Sequence, residues 1–123
     1  MYAGILRMTK LFAPPEFWGL SQDEKSEICN GMGAKDSLLS ALIPNTFFGL
    51  DMTICADIHD YMYFVGKTIE DKNEADRSFL NNMLRVINSK SANGFMRWIR
   101  RRRAMQYYNA VAEFGGPAFW DGK

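Results

Sequence analysis

Apolar residues recur along this chain at helical rather than strand spacing. Period-2 alternation is not sustained anywhere, whereas Ala75, Phe79, Leu80, Met83, Leu84 and Ile87 fall on the rows of one helix face. Punctuation agrees with this. Ser21-Gln-Asp-Glu24 is a capping-box pattern that opens a short helix, and Gly31 can end it. Residues 31–50 read as a loop with at most a helical turn around Ser37–Leu42, stopped by Pro44. A helix is then predicted from Leu50 to Val65, closed by Gly66. Thr68-Ile-Glu-Asp71 repeats the capping pattern and starts a helix running to about Ile87. A third long helix is predicted from Asn93 to Phe114, ended by Gly115-Gly116-Pro117. The expected fold is all-α, in one domain spanning residues 1–123.

The short link at Gly66–Thr68 makes the two middle helices an antiparallel pair. His59 lies six residues before Val65 and Asp76 seven after Ile69. At ~1.5 Å per residue both sit about 9–10 Å from the turn. Their side chains can therefore meet across the seam.

Composition narrows the chemistry. The chain has 123 residues and only two cysteines, Cys29 and Cys55, too few for a disulfide-built scaffold. They could pair once or stay reduced. Met1–Leu20 has no long apolar run, is interrupted by Arg7 and Lys10, and leads into Pro14-Pro15. It fits neither a signal peptide nor a membrane span, which leaves a cytoplasmic location as the default, or export by another route. The net charge of +1 hides an asymmetry. Residues 1–84 carry 7 Lys+Arg and 12 Asp+Glu, so 7 − 12 = −5; residues 85–123 carry 8 and 2, so 8 − 2 = +6.

The sequence contains one histidine, which excludes zinc sites and phosphohydrolases built on several. His59 and Asp60 point about 100° apart on a helix, so they serve different tasks. Tyr63 lies one turn after His59, on the same face. The pattern suggests His59 as a base held in one tautomer by Asp76, with Tyr63 bonding the same carboxylate and Asp60 free to face a metal. A lone helical histidine is more often a packed or surface residue, and Gly31 and Gly33 serve equally well as a helix stop and a turn.

The runs Asp57-Ile58-His59-Asp60-Tyr61-Met62-Tyr63 and Ala75-Asp76-Arg77-Ser78-Phe79, with Cys29-Asn30-Gly31-Met32-Gly33 upstream, resemble the phospholipase A2 superfamily. The resemblance covers roughly residues 29–85. It implies a core of two long antiparallel helices, a calcium loop and a third, C-terminal helix. It implies hydrolysis of the sn-2 ester of glycerophospholipids with His59 as base, Asp76 as its orienter and Tyr63 as support. Ca2+ would be held by the Asp60 carboxylate and the main-chain carbonyls of Cys29, Gly31 and Gly33, with Asp36 as an alternative oxygen donor. The cysteine framework of the secreted forms is missing, and the interval from Gly33 to His59 is long.

The second feature is a basic run, Arg97 and Arg100, Arg101, Arg102 and Arg103, around Trp98 and Ile99. Four consecutive arginines wrap around most of a helix, so some approach the protein body, where Glu70, Asp71 or Glu74 could pair with them. The others suit an anionic membrane surface or, as the competing anion, nucleic acid. The alternative to an enzyme is a non-catalytic helical module that binds such a partner; a third possibility keeps the fold without turnover. Phe12, Phe17, Trp18, Leu20, Phe47 and Phe48 could line an acyl-chain slot or simply build the core.

Overall fold

A computed structural model describes residues 10–31, 46–47 and 49–123. The helices are α1 (Pro15–Trp18), α2 (Gln22–Gly31), α3 (Thr53–Val65), α4 (Ile69–Lys90), α5 (Gly94–Phe114) and α6 (Gly116–Trp120). α2, α4 and α5 begin where the chain supplies a side-chain cap, whereas Met52 at the N-cap position of α3 supplies none. Thr68 Oγ1 accepts from the Asp71 N–H at 3.1 Å, and the Asp71 carboxylate accepts from the N–H groups of Thr68 and Lys67 at 3.1 and 2.8 Å. Ser21 and Glu24 make the same reciprocal pair at α2. The Asn93 side chain accepts from the Met96 N–H at α5. Each such cap stabilises its helix by about 1 kcal/mol.

The fold is all-α, and it departs from the predicted pattern at a few element ends. The helix expected from Leu50 begins at Thr53. Before it, Thr46–Phe47 (β1) and Leu50–Asp51 (β2) form an antiparallel ladder, Thr46 opposite Asp51 and Phe47 opposite Leu50. The turn between them contains Gly49 at φ +78°, a conformation that glycine adopts without steric cost. Asp51 then anchors the helix start, accepting from Thr53 N–H and Oγ1–H at 2.9 and 2.6 Å. α4 also runs past Ile87 to Lys90. The predicted turn at Ser37–Leu42 lies outside the described residues.

The core sits where α4 meets α3 on one side and α5 on the other. α4 buries Ala75, Phe79, Met83, Val86 and Ile87; α3 brings Ile54, Cys55, Ile58 and Met62; α5 adds Ala104 and Val111. Each fully buried large aliphatic or aromatic side chain contributes on the order of 2 kcal/mol. The segment before α1 is tied down by Asn82, whose carboxamide bonds both the N–H and the C=O of Phe12 at 2.8 Å. This brings Phe17 into the core, edge-on to Tyr61. Phe17 is therefore core rather than slot, while Phe12 and Trp18 are exposed and Leu20 packs on the core. The Phe47 side chain and Phe48 lie outside the described residues. Cys29 and Cys55 are free thiols, so no disulfide joins them. Among the described residues, no helix is long and apolar enough to cross a membrane.

Candidate active site

α3 places His59 and Tyr63 one turn apart on the face that meets α4; α4 places Lys72 and Asp76 one turn apart on the face that meets α3. Asp76 is the hub. Its Oδ1 lies 2.8 Å from His59 Nε2 and accepts the Tyr63 hydroxyl at 2.7 Å. Its Oδ2 accepts from Lys72 Nζ at 2.7 Å. Lys72 also donates to the carbonyls of Val111 and Ala112 in α5, at 3.1 and 3.4 Å. The imidazole packs between the rings of Tyr63 and Phe79, with centroids 4.1 and 4.8 Å away. His59, Tyr63, Lys72 and Asp76 are all buried, with Asp76 2 % exposed. Gly115 makes room for this cluster, because a Cβ there would collide with the Tyr63 hydroxyl oxygen.

Burial by itself raises the Asp76 carboxyl, but hydrogen bonds from His59 and Lys72, with Tyr63 adding a smaller contribution, hold it below its ordinary value. Burial lowers the His59 imidazole; its bond to Asp76 opposes this and the Lys72 charge reinforces it. Burial and the adjacent Asp76 charge push the Tyr63 hydroxyl up, so it stays protonated and donates. The consistent state has a carboxylate, an ammonium and a neutral imidazole. Nε2–H donates to Asp76, and Nδ1 carries the lone pair that can take a proton. Asp76 and Lys72 already cancel one another, so a proton added to His59 gives the buried cluster a net positive charge.

Lys72 was not anticipated from the sequence. A helical lysine is usually solvated, yet this one occupies the buried stripe of α4. Its spacing of four from Asp76 is the signal that could have revealed it.

Beside this network lies an acidic corner. Cys29 from α2 and Asp57 and Asp60 from α3 bring one donor atom each within 4.8 Å of one another, all three half-buried. The Cys29 thiol points at the Asp57 carbonyl at 3.7 Å. Burial, then Asp57, raises Asp60 well above the ordinary carboxylate value. Burial, Asp57 and Asp60 push the Cys29 thiol up to about 12. Two carboxylates crowded in a half-buried corner repel one another, and a cation would relieve that repulsion. Carboxylate oxygens suit a hard divalent cation, whereas a thiol does not. Cys29 and Gly31 lie in the last turn of α2, where main-chain carbonyls lack helical partners and the helix end is negative. Gly33 and Asp36 lie outside the described residues. Asp57 is the addition, three residues before Asp60 and so on the same side of α3.

A cavity of about 550 Å³ opens between α2, the end of α3 and α6, lined by Ile28, Tyr63, Phe64 and Phe119 together with the charged Glu24, Glu27, Asp121 and Lys123; His59 is not part of its wall. Lys123 donates to the Tyr63 main-chain carbonyl and lies 3.7 Å from the Phe119 ring centre.

The arginine run lies elsewhere. Arg100 is buried and reaches the Ser91 hydroxyl at 3.1 Å. Arg101 holds Asn88 Oδ1 at 3.2 and 2.8 Å, Arg102 lies over the Trp98 ring, and Arg103 reaches Gln106. Arg97 is half-buried. The pairing expected with Glu70, Asp71 or Glu74 does not suit this placement. Those acids occupy the first turns of α4, whereas Asn88, which Arg101 holds, is near its other end, ~25 Å from Asp71 along the helix. Antiparallel packing of α4 and α5 separates the two groups.

Comparison of the chain with protein-family models, with curated proteins and with solved structures gives no match.

Proposed function

We propose that this chain is a calcium-dependent phospholipase of the A2 type, which hydrolyses the sn-2 ester of glycerophospholipids. The observation that carries the reading is the hydrogen bond between His59 Nε2 and Asp76 Oδ1, supported by Tyr63, on two antiparallel helices, with Asp60 adjacent to His59 but facing a second acidic group.

Neutral His59 takes a proton from water at Nδ1 while Asp76 accepts from Nε2–H. The water oxygen bonds to the ester carbonyl carbon, giving a tetrahedral adduct. Collapse breaks the bond between that carbon and the glycerol oxygen, and His59 returns its proton to the departing oxygen. The products are a fatty acid and a lysophospholipid, with no covalent enzyme intermediate. Asp57 and Asp60, with the carbonyls of Cys29 and Gly31, would hold calcium. Bound there, calcium supplies polarisation of the ester carbonyl and stabilisation of the oxyanion. The cavity beside Tyr63 falls in the size range of small-molecule pockets; Ile28, Phe64, Ala118 and Phe119 offer apolar surface to part of an acyl chain, beside the charged Glu24, Glu27, Asp121 and Lys123.

The compensation of Asp76 by Lys72 favours a second reading, in which the same network is a structural polar lock without turnover. Release of fatty acid from phospholipid vesicles separates the two. The enzyme reading requires release that calcium stimulates, chelator stops and His59→Ala abolishes. A chain that folds and releases nothing with calcium present supports the lock.

A further inference from the structure

We infer that the solvent face of the first three turns of α5 is a docking surface for an anionic lipid bilayer, a role that does not depend on the hydrolase reading. At about 100° per residue, Phe95, Trp98, Arg102 and Met105 fall within an arc of about 80°, opposite the buried Arg100, Ala104 and Val111. Phe95 is 67 % exposed, Trp98 56 % and Met105 45 %. The two aromatic rings stack with centroids 6.5 Å apart, and the Arg102 guanidinium lies 5.3 Å from the Trp98 ring centre. Scattered exposed apolar residues are ordinary on a protein surface, but this is a contiguous stripe. It also explains why α5, unlike α4, does not separate into an apolar and a polar side: an arginine is inside while aromatic rings are outside.

Charge identifies the occupant. From Arg77 to Ala112 the chain has eight basic residues, Arg77, Arg85, Lys90, Arg97 and Arg100–Arg103, and no Asp or Glu. The second half of α4 and the first half of α5 adjoin, as the Arg101–Asn88 and Arg100–Ser91 bonds show, so all of these charges except Arg77, which lies in the first half of α4, share one end of the helix pair. On α5 itself Arg102 lies in the stripe and Arg101 at its edge, whereas Arg97 and Arg100 fall on the other side. Arg85 and Arg101 donate to the neutral oxygens of Lys10 and Asn88, which orient them without cancelling their charge. Exposed Trp and Phe between arginines match a headgroup boundary, where rings enter the apolar margin and guanidinium groups meet phosphate. The stripe is the convex side of one helix, which suits a flat bilayer. Single-stranded nucleic acid, the other polyanion that stacks on aromatic rings, is usually held in a groove.

The test is co-sedimentation of the full chain with vesicles of ether-linked phospholipids, which lack the ester bond and report binding alone. Strong binding is expected to ether-linked phosphatidylcholine mixed with phosphatidylglycerol, and little to phosphatidylcholine alone. Added salt weakens the bound state. Trp98→Ala and Phe95→Ala should each lower affinity roughly tenfold, and Arg102→Gln about fivefold. All three positions are exposed, so an unchanged circular dichroism spectrum is expected for each variant. Equal binding to both vesicle types, or affinity unchanged in Trp98→Ala and Arg102→Gln, overturns the inference. So does tighter binding to a single-stranded oligonucleotide than to anionic vesicles, or self-association that Trp98→Ala removes with no vesicle binding.

Discussion

The two ends of α4 treat charge in opposite ways. In its first half, Lys72 and Asp76 are buried and cancel each other at 2.7 Å, and Asp76 Oδ1 is left for His59 and Tyr63. In its second half, Arg85 is exposed, and the Asn88 beside it orients exposed Arg101 through a neutral oxygen. A buried, compensated pair fixes the orientation of its neighbours and is costly to break. An exposed, uncompensated group is almost free to remove and acts on whatever approaches. The first arrangement holds groups in place; the second leaves them available to a partner. The division of the sequence into an acidic first part and a basic last part thus becomes a division in space.

Breaking that contrast should be hardest at the buried pair. Asp76→Ala leaves Lys72 inside without a counter-charge, and Lys72→Met does the same to Asp76. Each is expected to destabilise by ~3–5 kcal/mol, measured by urea unfolding. A loss below about 1 kcal/mol in either variant would mean that the pair is not buried as described. Next comes the cation. Calcium at ~100 times its Kd should add ~2.7 kcal/mol of stability to the wild type. Asp60→Asn and Asp57→Asn should lose that increment. An equal rise of Tm with calcium in all three chains would remove the acidic corner from the account. Gly115→Ala, which crowds the Tyr63 hydroxyl, should cost ~1–3 kcal/mol.

The pH dependence sharpens the contrast further, with signs that differ between groups. Unfolded, His59 takes up a proton below its ordinary value of 6.5, whereas folded it resists, so stability falls as pH drops below that point. Asp76 adds a loss of the same sign below its ordinary 3.8, as pH falls through its depressed folded value. Asp60 acts oppositely. Its contribution is present below 3.8 and lost as pH rises through its raised folded value, because burial and Asp57 both disfavour its charge. In chelator, Asp60→Asn is therefore expected to melt above wild type, a gain in stability at the expense of cation binding; a lower Tm would contradict this. The smallest effect belongs to the exposed end. Arg102→Gln should change unfolding free energy by no more than about 0.5 kcal/mol, and a loss of several would show that the arginine is structural.

Much of this layout was legible in the sequence, for reasons that also explain the gaps. The caps at Ser21, Thr68 and Asn93 are local, involving residues three apart, so the helix starts they define could be read directly. The tight Gly66–Thr68 link set the relative height of His59 and Asp76, and the structure brings them together. The start of α3 was misplaced because the Thr46–Asp51 ladder is a pairing across a turn with almost no periodic signature. Gly115-Gly116-Pro117 was read as a stop and missed as a start. Proline suits the first turn of a helix, and α6 uses it to bring Phe119 under Gly66 and Tyr63. Lys72 and the acidic partner Asp57 are not singled out by the sequence for one reason: each is a charged residue whose role depends on a neighbouring helix, and helical spacing alone assigns such residues to solvent; the arginine run implies that some arginine turns inward but not that it is Arg100. The contribution of Asn82 likewise depends on Phe12, far away in sequence.

The central claim is that the His59–Asp76 pair activates water against a phospholipid ester. Its most direct test is fatty acid release from phosphatidylcholine and phosphatidylglycerol vesicles with calcium, comparing wild type with His59→Ala and assigning the released chain to its glycerol position. The account predicts release from the second position in the presence of calcium, and a fall of about 10²–10⁴-fold in the variant. A folded wild type that releases no fatty acid, or release that survives His59→Ala undiminished, would contradict it.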